Sequence, residues 1–282
     1  MGAAAGGFWR RFARNKGAVV GLALLLCVIA MAGIGPVLVP GSPWEMVGRP
    51  FLRPFGAEFP LGTDTLGRDI LTGIVHGARV SLAIGAVATA AAVAVGILVG
   101  AVAGYFGGRA DDLLMRFTEF FQTIPSFVFA VLLVAIFTPS IGSIVVAIAV
   151  VSWPPVARLV RGEFLSLRTR EFVLASVVQG QSSLHIIFVQ ILPNALSPII
   201  VAASLMVATA ILVESALSFL GLGDPNLMSW GYMVGAARSV VRTAWWMSFF
   251  PGLAILLTVL ALNLVGEGLS DALNPRLARG GQ

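Results

Sequence analysis

Reactive and charged side chains are scarce in this chain. It has one cysteine, Cys27, one lysine, Lys16, and two histidines, His76 and His185. A single cysteine excludes an internal disulfide framework and any multi-cysteine metal site. Within its apolar run, Cys27 reads as a buried small hydrophobe. Lys16 is not preceded by glycine, so the G-x-x-x-x-G-K-[ST] phosphate loop is absent. Two histidines on opposite sides of a membrane can build neither a multi-histidine metal site nor a mid-membrane Ser–His dyad. No catalytic residue, metal ligand or bound cofactor is nominated. Charge is scarce too, at 11% of 282 residues, against about 25% in soluble domains.

What is abundant is apolar surface. Apolar residues make up 58% of the chain, and the mean hydropathy is +0.95. Such a chain needs lipid around it. A soluble enzyme, a disordered protein and a coiled coil are excluded. The net charge of +5 comes almost wholly from arginine. These arginines are scattered through short loops, which fits positive-inside topology and not nucleic-acid binding.

A spanning helix takes roughly 20 apolar residues. Residues 17–39, 80–108, 194–220 and 243–266 each meet that length. The uncharged stretch 120–157 is too long for one helix, and Pro139-Ser140-Ile141-Gly142 divides it in two. The expectation is an all-α polytopic membrane protein with six transmembrane helices. With a cytoplasmic N-terminus, the inner segments are 1–16, 104–119, 158–193 and 267–282. They carry twelve basic residues, Arg276 and Arg279 among them, against six in the outer segments 40–79 and 221–242. Both termini are therefore expected in the cytoplasm. The first span exceeds a signal-peptide core, so it reads as an uncleaved anchor.

Gly96, Gly100 and Gly104 recur every four residues on the second span, which predicts a close helix–helix seam. Glu214 lies inside the fifth span; it is either a functional acid of the pathway or a hydrogen-bonded structural group. Glu119 and Gln122 open the third span and read as interface or packing groups.

The inner segment 158–193 is unusual. Arg158, Arg161, Arg168 and Arg170 lead into Phe172, Leu174, Ala175, Val177 and Val178, an apolar stretch too short to span. Gly180 interrupts it. Ser182 or Ser183 can cap a second short helix, 184–190, and Pro193 stands where the fifth span is expected to start. A short apolar helix outside the membrane has to cover its face on lipid, on its own helix ends or on a partner.

The run Glu171-Phe172-Val173-Leu174-Ala175-Ser176, then Gly180, then Leu192-Pro193 resembles the EAA loop of ABC importer permeases. Leu174 stands at the place of the acid, and Gln190 at that of the isoleucine. Leu61-Gly62-Thr63-Asp64, Gly67-Arg68-Asp69, Gly77-Ala78-Arg79-Val80-Ser81-Leu82 and Ser229-Trp230-Gly231 are similar to segments of the C-type dipeptide and oligopeptide branch, as are Phe8-Trp9-Arg10-Arg11-Phe12, Gly104 to Gly108 and Phe219-Leu220-Gly221-Leu222-Gly223.

This resemblance implies the type I ABC importer permease fold in the bacterial inner membrane. Its division would be an N-terminal tail, first helix and outer loop at 1–79, a permease domain at 80–269 and a cytoplasmic tail at 270–282. The implied assembly pairs this chain with a B-type permease and two cytoplasmic ATPases, which hold the ATP and Mg. An external solute-binding protein feeds it. The loop would be the coupling helix, with Phe172 as an apolar anchor, Ala175 and Ser176 keeping the docking face low, and Gly180 as the turn. The solute would be a peptide; nickel, glutathione or another small solute is the alternative within the family, and a self-sufficient channel or secondary transporter the alternative outside it. Asp64, Arg68 and Asp69 could form loop-anchoring ion pairs or meet the binding protein. Gly221 and Gly223 suggest a tight outer loop. Trp230, Trp245 and Trp246 read as an outer interfacial belt.

Overall fold

A computed structural model describes residues 2–273, with side chains from Phe8 onward. Arg276, Arg279 and most of the expected tail lie outside the described residues. Ten helices follow in order: α1 (Gly2–Arg14), α2 (Lys16–Leu38), α3 (Ile70–Phe106), α4 (Gly108–Gln122), α5 (Ser126–Ile136), α6 (Ile141–Leu167), α7 (Glu171–Val178), α8 (Ser183–Leu222), α9 (Trp230–Ala236) and α10 (Trp246–Leu273). Only isolated bridges, Met46 with Arg68 and Thr63 with Asp69, interrupt the helical pattern among the described residues. Five helices are long and apolar enough to cross a membrane, or six spans with the bent pair α4–α5 counted as one.

The glycine seam forms as expected. A Cβ on Gly96 would lie 2.5 Å from Val156 Cβ, one on Gly100 2.4 Å from the Ala157 carbonyl, and one on Gly104 2.6 Å from Phe164 Cβ. Helix α3 therefore lies backbone-close on α6. Lipid gives helices no hydrophobic reason to meet, so this close van der Waals contact holds them. Elsewhere α2 packs on α10 through Gly21, whose Cβ would meet Leu264 at 2.5 Å. Asn15 caps α2 and donates to Asp271 of α10 at 2.9 Å.

Several boundaries differ from the sequence reading. The second span starts ten residues early, at Ile70, because Asp69 caps it by accepting from Leu71 N and Thr72 N. Arg79 thus sits inside a helix and not in a loop. Its guanidinium donates to the Ala32 and Gly33 carbonyls of α2. Pro36 explains the first of these contacts: it has no N–H, so the carbonyl four residues back loses its helical donor. The third span is not one straight helix. Pro125 ends the run, and α4 and α5 meet at 80°. The charged α4 turns away, and the 11 residues of α5 reach only about 16 Å. The fourth span continues to Leu167, so Arg158 and Arg161 are helical and not in the loop.

Two side-chain readings are corrected. Cys27 is exposed on the chain, because the packing stripe of α2 is Ala18, Gly21, Val28, Ala32 and Gly35 on another face. Trp230 and Trp246 are buried and belong to a core with Met228, Met233 and Met247. Their indole N–H groups donate to the Ile74 carbonyl at 2.9 Å and the Thr63 carbonyl at 3.1 Å. A buried indole with its polar tip satisfied works as a core anchor. Of the three expected belt residues only Trp245 stays exposed.

Candidate functional site

The loop between α6 and α8 lies at one end of the bundle. Arg168 donates to the Gly104 carbonyl at 3.2 Å, so this loop shares its end with the C-terminus of α3. Helix α7 has two faces. Val173 and Ser176 are buried, and Val173 packs with Phe164, Ile186, Ile187 and Ile191. Ser176 therefore faces inward and not toward a partner; its hydroxyl donates to the Phe172 carbonyl at 3.0 Å. The outward face carries Glu171, Phe172, Leu174, Ala175, Val177 and Val178. Val178 is 88% exposed.

Gly180 closes α7. Its φ is +74°, a backbone region that glycine enters without a Cβ clash. Gln181 N donates to the Ser176 carbonyl at 3.1 Å and Gly180 N to the Val177 carbonyl at 3.0 Å. That pair of bonds is the Schellman cap, which satisfies the last carbonyls of a helix. Ser182 then caps the next helix by accepting from His185 N at 3.3 Å. The expected separate helix at 184–190 does not form: α8 runs unbroken from Ser183 into the fifth span, with a π-helical turn at Ile186–Ile191. Leu192 N reaches back to the Ile187 carbonyl. This wider register carries the backbone past Pro193, which lacks a donor. Leu192 is half-buried beside the inner core and Pro193 is exposed.

Glu214 is 1% exposed. Its Oε1 accepts from Ser218 Oγ at 2.9 Å and from Ser229 Oγ at 2.7 Å. Gly231 lies against it, since a Cβ there would come within 2.7 Å of both carboxyl oxygens. Trp230 N donates to Ser81 Oγ at 3.0 Å. Segments 77–82 and 229–231 therefore meet at one polar knot that ties α3, α8 and α9 together. Glu214 is an internal tie in this structure. Glu119 is exposed on α4, and Gln122 accepts from Arg158 Nη1 at 2.9 Å.

The acids expected in the outer loop do not form ion pairs among the described residues. Asp64 Oδ1 accepts from Leu66 N and Arg68 N, each at 2.8 Å. Asp69 is the cap of α3, and Arg68 lies over the Trp44 ring at 4.7 Å. Short acidic side chains in tight turns meet nearby backbone N–H groups before distant guanidinium groups. Gly221 has φ +87°, and Gly223 sits against Ser218, so both glycines serve the tight loop. Asp224 reaches across it to accept from Ile141 N at 3.0 Å. One pair escaped the sequence reading. Asp111 of α4 receives two bonds from Arg161 of α6, at 2.5 and 2.6 Å. Also unforeseen is an open groove lined by Ser126, Phe127, Ser152, Met206, Thr209 and Val213, between α5, α6 and α8.

Residues 96–279 match the family model described as the binding-protein-dependent transport system inner membrane component. The chain belongs to that family. Residues 5–54 match the N-terminal TM domain of oligopeptide transport permease C. Among curated relatives, a di/tripeptide transport system permease protein DppC of Pseudomonas aeruginosa is 43% identical over 277 residues, covering 96% of this chain and 91% of that protein. The dipeptide transport system permease protein DppC of Bacillus subtilis is 42% identical, covering 96% and 85%. That of Escherichia coli K12 is 43% identical, covering 96% and 92%. The fold is that of ABC importer permeases. An inward-facing MetNI methionine ABC transporter chain aligns with TM-score 0.59 at 18% identity, covering 72% of this chain and 96% of that one. This permease is thus a transport subunit and not itself an enzyme, and its family works in the inner membrane with ATPase and binding-protein partners. A self-sufficient channel is not favoured.

Proposed function

We propose that this permease is one half of the translocation pathway of an ATP-driven importer of di- and oligopeptides, paired with a B-type permease. The single observation that carries the coupling role is the outward apolar face of α7. Phe172, Leu174, Val177 and Val178 stand on a helix seated from behind by Val173 and Ser176. A contiguous exposed apolar face outside the membrane marks an interaction site, and a short helix in a groove is a recurrent docking mode. The partner is a cytoplasmic ATPase, which holds the ATP and Mg. Closure of the ATPase pair moves α7 and rocks the spans as rigid bodies. Peptide as cargo is supported by the relatives' names. The termini then lie in the cytoplasm, and the permease domain is drawn at 80–269. The groove between α5, α6 and α8, with the hydroxyls of Ser126, Ser152 and Thr209, is the side that faces the pathway.

The test is recovery of the chain in mild detergent after co-expression with its neighbouring genes, followed by an ATPase assay. Recovery of a second permease and ATPases, with hydrolysis stimulated by a peptide-loaded binding protein, is expected. A chain that purifies alone and moves solute in liposomes without ATP overturns the proposal.

A further inference from the structure

Helix α1 combines aromatic rings and cations within one short stretch, Phe8-Trp9-Arg10-Arg11-Phe12-Ala13-Arg14, and Lys16 opens α2 after the break at Asn15. Helix α2 runs antiparallel to α3, since Val39 meets His76 and Ala32 meets Arg79. The start of α2 therefore lies at the end of the bundle where α3 finishes, which is also the α7 end. Helix α1 folds back against this start. Phe12 is buried with Ala18 of α2 and Ala272 of α10, and Phe8, Leu22 and Leu269 pack around them. A Cβ on Gly268 would come within 2.8 Å of the Phe12 ring, so the ring fills the space that this glycine leaves. No charge follows Lys16 until Glu45, and Ala18 is only two residues, about 3 Å, further along the helix. Helix α1 is thus held level with the first turns of a membrane span, where headgroups give way to acyl chains.

Its faces suit that level. Phe8 and Phe12, four residues apart, share the face turned to the protein. Arg10 and Arg14, also four apart and about 200° round the helix from the first pair, are exposed. Trp9, on the flank between them, is 59% exposed, and Val19 and Val20 are exposed in the first turns of α2. The indole stands edge-on to the Phe8 and Phe12 rings, at 5.4 and 6.1 Å. An exposed indole at this height is an interfacial anchor, and a helix with one aromatic and one cationic face lies in the interface plane.

The cations have no acid to meet. No Asp or Glu precedes Glu45 in the chain. On α10, Asp271 is taken by Asn15 at 2.9 Å, and Glu267 is exposed. Among the described residues the one ion pair is Arg161 with Asp111. Arg10, Arg11, Arg14 and Lys16 therefore carry four positive charges that no contact among these residues neutralises. An acidic protein surface would match the charges but leave Trp9 unused at the acyl boundary. A membrane takes both, with phosphates for the cations and chains for the indole.

We propose that α1 and Lys16 form a binding site for anionic phospholipid in the leaflet on the α7 side, with Arg10, Arg14 and Lys16 on the headgroup phosphates and Trp9 among the first acyl carbons. The site uses only the membrane reading of the chain and not its cargo or its energy source.

The experiment uses the full chain, co-purified with its neighbouring gene products, in phosphatidylcholine nanodiscs. These carry a trace of photoactivatable phosphatidylglycerol or of phosphatidylcholine with the same chains, and crosslinks to residues 8–22 are counted. A basic residue near an anionic surface gains about fivefold in binding. The phosphatidylglycerol probe should therefore label this segment at least tenfold more than the neutral probe. Arg10→Gln with Arg14→Gln should bring the two probes to within about twofold, at an unchanged melting temperature in pure phosphatidylcholine. Arg49→Gln with Arg53→Gln removes the same charge from exposed positions in the loop before α3 and should keep the native ratio. Trp9→Ala should lower labelling by both probes alike. Equal labelling of the native chain by the two probes overturns the site, as does a native ratio in the Arg10, Arg14 variant. An unchanged ratio with loss of co-purifying subunits from that variant assigns the cations to a protein partner and overturns it too.

Discussion

Replacing Gly100 by alanine puts one methyl group into the α3–α6 seam. Its Cβ would lie 2.4 Å from the Ala157 carbonyl, 2.8 Å from Val160 Cβ and 3.0 Å from Arg161 N. Two of these neighbours are backbone atoms, so no side chain can turn away. The helices must part by about 1 Å to restore ordinary contact. A gap of that size forfeits about a quarter to a half of each contact's well of about 0.1–0.2 kcal/mol. Over roughly 40 contacts, the number a buried leucine makes, the loss is about 1–4 kcal/mol. Overpacked cores lose about 1–3 kcal/mol, which agrees. Alanine returns up to about 1 kcal/mol through helix propensity. The comparison is with Gly33 and Gly162, also helical, whose Cβ would meet nothing within 4 Å. Alanine there should be neutral or stabilising. The gap between the seam variant and the controls is about 1–4 kcal/mol, or roughly 2–16 °C in melting temperature. Thermal melting of the purified protein in one lipid nanodisc preparation reads it. Gly96→Ala should cost about as much, because its nearest atom is Val156 Cβ at 2.5 Å, which is fixed to the backbone and cannot turn away. If Gly100→Ala melts with the two controls, the seam is not what holds α3 on α6.

Five further substitutions test three other features. Arg79→Ala strands the Ala32 carbonyl that Pro36 leaves without a helical donor, at about 1–3 kcal/mol. Adding Pro36→Ala returns that donor, and a double variant melting no higher than Arg79→Ala contradicts the account. Glu214→Gln should stay within about 1 kcal/mol of native stability, since an amide oxygen also accepts from Ser218 and Ser229, whereas Glu214→Leu leaves those buried hydroxyls unpaired at about 1–3 kcal/mol each. Equal melting temperatures for the two variants would contradict this role. Gly180→Val has room for its side chain but forces a branched residue to positive φ, at about 1–3 kcal/mol. The complex should assemble and hydrolyse ATP while uptake in vesicles falls, and normal uptake by that variant refutes the coupling role.

What was legible in the sequence is what composition and spacing encode. The span count, the glycine seam, the turn at Gly180 and the cap at Ser182 all follow from local rules. The failures share one cause. A hydropathy count treats any charge as the edge of a span, yet Arg79 finds its partners 46 and 47 positions earlier in the chain. The signal for the true start of α3 was present: Asp69, directly ahead of Ile70, is a favoured N-cap residue. Trp230 and Trp246 were misplaced because their acceptors lie 156 and 183 residues away. Asp111 looked like one more charge of a solvated face until α4 folded back beside Arg161.

These misreadings have a common physical meaning. In and near lipid a free donor or acceptor costs several kcal/mol, and the polar side chains that were misread are bound into the protein's own frame. Arg79 serves a proline-broken carbonyl, Glu214 a serine pair, Trp246 a loop carbonyl, and Arg168 the end of α3. Each end also offers exposed apolar surface: α7 beyond one end of α3, and the loop that holds Phe51 and Phe55 beyond the other. Helix α3 meets the end of α6, just before α7, through its Gly104 carbonyl, which accepts from Arg168, and meets the loop that precedes it through Ile70 N. A displacement of the α6 end that carries Arg168 therefore acts on a rod of 37 residues, about 55 Å long, whose far end holds the loop at residues 40–69. The chain needs no charged relay across the membrane to connect the two surfaces, because one continuous helix already runs between them.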